Sequence, residues 1–389
     1  MHVLTHLRSA VLARLAALTA ALIIAGTVTA STALAAEPHG GAGAVFVQTN
    51  DISGNAILAY ARSAAGALTP AGRYPTLGRG GMEPGVPTDP LSSQGSLTVD
   101  RRHRLLYAVN AGSDTVSVFS VRGPSLRLLQ VIGSGGRFPT SVAVHHALVY
   151  VLNAGGDGTI SGYRSDHGRL TPIAGSVRSL GLGNATPPFF LRSPSQIGFT
   201  PDASHVLLTD KENGLVDAFA LRPDGRPAVA PVTTATGPVP FAFEFDALGR
   251  MVLADASGFA NTYRVLPSGA LSASGAPAAN GQKAPCWIVR ARGYYYVTNT
   301  ASDTITGYAE APDGQLELLQ ADGVSATTDA GPIDLAAAPG GRQVFELNGL
   351  AGDLGVYAVA SDGTLTRIAT VQGLPAFDGS NGMEGIAVI

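Results

Sequence analysis

Lys211 and Glu212 stand side by side in the chain, and Arg192 lies in the loop region before them. An ammonium or guanidinium group can hold a carboxylate, or steady the negative charge that grows on a carbonyl oxygen under attack. A nearby carboxylate can activate water. Arg192, Lys211 and Glu212 are therefore the catalytic candidates for handling a ring-shaped carbonyl compound. Glu83, Gln94, Gln196, Glu244, Asp378 and Glu384, together with Asp89, are the polar residues expected around such a substrate. The alternative for Lys211 and Glu212 is a solvated pair in a turn, which contributes little.

Other chemistries find less support. Cys286 is the sole cysteine, and a nucleophilic thiol needs an adjacent base. The histidines downstream of the leader, His39, His103, His145, His146, His167 and His205, are not expected near it, so Cys286 reads as a buried structural thiol. No His/Cys cluster has metal-ligand spacing, and Gly40–Gly43 lacks the strand–helix context of a phosphate loop. Neither a metal nor a cofactor is expected. The chain carries 25 Lys plus Arg against 28 Asp plus Glu, with no basic cluster, so no nucleic-acid partner is expected. Asn184-Ala185-Thr186 matches a glycosylation sequon.

These candidates must be positioned by repeats. Leu105–Val121 reads LLYAVNAGSDTVSVFSV, Val149 onward reads VYVLNAGGDGTISGY, and Tyr295 onward reads YYVTNTASDTITGY. Each is a β-rich run, a turn of Asn, Gly, Ser and Asp, and a second β-rich run. Gly accepts positive φ and Asn or Asp bonds its own backbone, so each stretch is a hairpin. The runs before these turns end at Asn50, Asn110, Asn153, Asp210, Asp255, Asn299 and Asn348. A spacing of about 40–60 residues is that of four-stranded propeller blades. Innermost strands are expected at 96–100, 141–145, 196–200, 241–246, 286–291, 333–337 and 384–389.

The repeat register predicts closure. The N-terminal repeat opens on a second strand, Ala44–Gln48, and the chain ends on a first strand, Gly385–Ile389. Pairing them completes one sheet and removes two open edges. The sequence thus predicts an all-β, seven-bladed propeller over residues 44–389. Insertions mark the face in use. Residues 78–94, 180–195 and 372–383 all lead into innermost strands, which puts them on one face around the channel mouth, the expected small-molecule site.

Residues 1–35 read as a secretory signal peptide. A weakly basic start precedes the apolar run Leu15–Ala30, and Ala33-Leu34-Ala35 supplies the small residues for cleavage near Ala35. Residues 36–43 form a short flexible lead-in. The mature protein is expected to be extracellular, monomeric and free of the membrane.

The phrases Ser193–Gly225, Leu105–Val121 and the closing GIAVI resemble the lactonase family of seven-bladed propellers. That family includes cycloisomerase-type 6-phosphogluconolactonases and carboxymuconate cyclases. The resemblance covers nearly all of the mature chain. It implies metal-free opening or closing of a lactone ring at the channel mouth, with Glu212 near the family's acidic group. Active members carry Pro-His before one innermost strand and Gly-Pro-Arg-His before the next. Here those places read Ser193-Pro194-Ser195-Gln196 and Gly237-Pro238-Val239-Pro240, without the Arg and both His.

Overall fold

The computed structural model describes residues 43–389. The expected signal peptide and nearly all of the lead-in lie outside the described residues. Within them the chain forms seven antiparallel sheets, each ordered from an innermost to an outermost strand. The innermost strands of blades 2 to 7 are Leu97–Asp100, Pro139–His145, Ile197–Phe199, Pro240–Phe245, Pro285–Ala291 and Pro332–Ala337, and Met383–Val388 supplies that of blade 1. In blades 3, 5 and 6 the outer strand is broken, and both pieces pair with the same third strand.

The ring closes as the repeat register requires. Met383–Val388 runs antiparallel to Gly43–Thr49, with Val45 opposite Val388 and Val47 opposite Ile386. Ala44 and Ile389 exchange both backbone hydrogen bonds, at 3.1 and 2.9 Å. Gly385 sits here at φ +73°, where a Cβ would lie 2.3 Å from Ser96 Oγ and 2.9 Å from Leu97 N. Only glycine combines that backbone with so close an approach to blade 2.

Each blade buries both faces against its neighbours, which explains uninterrupted apolar runs where a one-sided sheet would alternate. Leu105–Asn110 is buried at every position. Phe46 and Ile57 of blade 1 share a cluster with Leu106 and Phe119 of blade 2, and Tyr150 of blade 3 shares one with Phe199 and Phe219 of blade 4. The Asn residues that close the second strands lock their own hairpins. Asn110 Nδ2 donates to Thr115 Oγ1 and Ser117 Oγ, and Asn299 Nδ2 donates to Thr304 Oγ1 and Thr306 Oγ1. Asn and Asp recur there because a short polar side chain satisfies the turn from inside.

Candidate functional site

The segment Leu91–Gln94, at the end of the first insertion, crosses the top of the axial channel. Gln94 uses its side-chain amide as a strand would use its edge. Nε2 donates to Ile288 O at 2.9 Å, and Oε1 accepts from Ile288 N at 3.0 Å. Trp287 Nε1 donates to Ser93 O at 2.7 Å, and Ser93 Oγ donates to Thr140 O at 2.9 Å. Lys211 Nζ donates to Ser92 O at 2.8 Å and to Ser92 Oγ at 3.0 Å. Leu91 N donates to Glu384 Oε2 at 3.1 Å. Blades 1, 3, 4 and 6 thus all hold one segment, which acts as a stopper with a pocket above it and a well below.

The upper pocket encloses about 230 Å³ and has nearly all apolar walls. Phe241 and Trp287 form its floor with ring centroids 4.7 Å apart, and Lys211 Nζ lies 5.2 Å from the Phe241 centroid. Phe190 and Leu191 come from the second insertion, while Pro87, Thr88, Asp89 and Ser92 come from the first. The two insertions are joined where Phe190 N donates to Pro84 O at 3.2 Å. Cys286 lines the same pocket. Burial pushes its thiol up to about 12, so it stays protonated at neutral pH.

Behind the pocket Lys211 is buried among Glu83, Asp89 and Glu384. Burial lowers the Lys211 ammonium, against the pull of Glu83, Asp89 and the others nearby. Burial raises Glu83 well above the carboxylate range, with Lys211 and Ser193 opposing, and no hydrogen bond of normal geometry reaches either carboxyl oxygen. Burial, then repulsion from Asp89, raises Glu384 well above that range. Burial also raises Asp89, while the hydrogen bond from Glu384 and those from Leu91 N and Ser93 N lower it. Burial thus pushes the acids and the amine alike towards their neutral forms, the direction a dry interior favours.

Arg192 and Glu212 form a separate pair at the rim. Their side chains meet at 3.1 Å, with exposures of 58% and 33%, so solvent screens the contact. Asp378 is exposed and folds its carboxylate back onto Ser380 N and Asn381 N, at 2.9 and 2.7 Å.

Gln94, Gln196 and Glu244 face the lower well, which encloses about 770 Å³. Gln196 bridges blades 4 and 5 as Gln94 bridges the channel. It accepts from Phe243 N at 2.6 Å and donates to Phe243 O at 3.1 Å. Burial pushes Glu244 up to about 7, with Arg290 and Arg101 pulling the other way. Asp334, buried in the same well, is pushed up to about 8 by burial, while its hydrogen bond from Ile386 N opposes. Asp334, Arg101, Arg290 and Arg292 were not among the sequence candidates. A charge inside an otherwise apolar innermost strand is the signal that identifies Asp334 and Arg290; Arg101 and Arg292 stand in the turns just after such strands and carry no signal of that kind.

Fold and site together define a seven-bladed propeller with a stoppered channel and an apolar pocket on its insertion-bearing face. No protein-family model and no curated protein matches the chain. Among solved structures it is similar to a candidate 6-phosphogluconolactonase from Bacteroides fragilis, at TM-score 0.69 and 16% identity, over 89% of this chain and 98% of that one. It is also similar to the periplasmic gluconolactonase of Pseudomonas aeruginosa, at TM-score 0.68 and 16% identity, over 89% and 99%. A candidate 6-phosphogluconolactonase from Bacteroides uniformis gives TM-score 0.67 and 18% identity, over 89% and 99%. The likeness shows a propeller fold shared with these structures. Among the described residues no helix is long and apolar enough to cross a membrane.

Proposed function

We propose that the chain is an exported, lactonase-like propeller that takes a small, largely apolar lactone in the upper pocket and hydrolyses it without a metal. The observation that carries this is a lysine ammonium set in an apolar pocket floored by Phe241 and Trp287. Apolar walls suit the ring, and a desolvated cation is worth most where charge develops on the carbonyl oxygen. Lys211 is the electrophilic group. Glu212 at the rim draws the proton from water, and Arg192 orients Glu212 through their 3.1 Å pair. Fold likeness to a periplasmic gluconolactonase supports both the reaction class and the export.

The second reading is binding without turnover. It is favoured by the fact that Lys211 already donates two hydrogen bonds to Ser92 and that Glu212 is already paired. One experiment separates the readings. A lactone panel is followed by pH-stat for hydrolysis and by emission of Trp287, the sole tryptophan, for binding. Turnover that drops about 100-fold or more in Glu212→Gln and Lys211→Met supports catalysis. Saturable emission change without turnover supports the binder, and the absence of both overturns the pocket assignment.

A further inference from the structure

The lower well is sealed from the upper pocket by the Gln94–Ile288 bridge and by the Trp287–Ser93 hydrogen bond. It is more than three times the size of the upper pocket and differs in character, since Arg101, Arg290 and Arg292 line it beside His145, whose imidazole burial and His146 push towards the neutral form. Against these stand Glu244 and Asp334. Both are pushed towards the neutral form, to about 7 and about 8, by burial. Around neutral pH the well therefore carries more cationic than anionic charge.

The guanidinium groups have donors left over, although Arg292 already donates one terminal N–H to Val359 O at 3.4 Å. Arg101 spends Nε on Val388 O at 2.9 Å and one terminal nitrogen on Ala337 O at 3.0 Å, which holds it over blades 1 and 7. Arg290 lies over the Tyr295 ring at 5.9 Å, and its Nε is buried without a hydrogen-bond partner. No salt bridge ties Glu244 to Arg101 or Arg290 among the described residues, although both lie near enough to lower its carboxyl.

We propose that this well is a second ligand site, independent of the upper pocket, which takes a small organic anion carrying more than one carboxylate. Arg101 comes from blade 2, whereas Arg290 and Arg292 come from the innermost strand of blade 6 and the turn after it. The Arg101 side chain reaches over blades 1 and 7, next to blade 6, so a molecule with several carboxylates can engage more of these groups at once than a single carboxylate can, and planar guanidinium groups suit carboxylate oxygens.

The test is isothermal titration calorimetry of the full chain with citrate at low salt and neutral pH, beside acetate and inorganic phosphate. Citrate should bind saturably, and acetate about tenfold or more weakly. Arg292→Gln, at an exposed position, should weaken citrate several-fold. Glu244→Gln should tighten it several-fold by removing a negative charge, a gain that misfolding cannot imitate. Citrate should leave Trp287 emission unchanged, because that ring lies on the other side of the stopper. The proposal is overturned if citrate shows no saturation below about 10 mM, if phosphate binds equally well, if Glu244→Gln fails to tighten binding, or if Trp287 responds.

Discussion

Replacing Gln94 by leucine keeps nearly the same volume and removes both hydrogen-bonding atoms that span the channel. Among the described residues the amide is the only cross-channel partner of Ile288, donating to O at 2.9 Å and accepting from N at 3.0 Å. Ile288 is fully buried. A net hydrogen bond is worth about 1 kcal/mol, and a stranded buried group costs about 1–3 kcal/mol. Two stranded groups therefore predict a loss of about 2–6 kcal/mol. Water from the well below can reach one side and moves the value towards the lower end. In a domain this long, that corresponds to a melting temperature lower by about 3–8 °C. Urea unfolding with a parallel thermal melt reads both quantities. Gln94→Glu is the comparator. It still accepts from Ile288 N but faces Ile288 O with a carboxylate, so it should resemble wild type more closely at low pH than at high pH. A Gln94→Leu protein within about 0.5 kcal/mol of wild type would show that the amide bridge does not hold the stopper.

Two further outcomes follow from the same packing. Gly385→Ala puts a methyl 2.3 Å from Ser96 Oγ at φ +73°, so it should cost about 2 kcal/mol or more; denaturant midpoints equal to wild type would refute the close approach of the closing strand to blade 2. Asp334 is raised from 3.8 to about 8, so the folded chain keeps a proton that the unfolded chain releases. Its contribution is fully present below about pH 4 and declines as pH rises towards about 8. Asp334→Asn should flatten that part of the stability–pH curve, and an unchanged slope in urea melts at stepped pH would count against a buried, protonated Asp334.

Much of the architecture could be read from the chain, because it is written in local rules. Asn110, Asn153, Asp210, Asp255, Asn299 and Asn348 each end a second strand as the hairpin pattern requires. The strand missing from the first repeat is the one at the C-terminus. Site geometry was less accessible. Lys211 and Glu212 are adjacent in sequence, yet one enters the buried acidic group behind the upper pocket and the other meets solvent beside Arg192. Glu244, Gln94 and Gln196 were expected around the insertion-bearing mouth, and they face the well on the other side of the stopper.

By itself the sequence determined that this chain forms seven like sheets, that they close on one another through the terminal strand, and that three long loops gather on one face. Turn chemistry and strand period act over a few residues, so a repeat announces itself wherever it occurs. Only the tertiary structure decided that Leu91–Gln94 bars the channel and divides it in two. That outcome depends on Gln94 meeting Ile288, and Lys211 meeting Ser92, across the ring axis. No periodicity encodes a contact between residues so far apart in the chain.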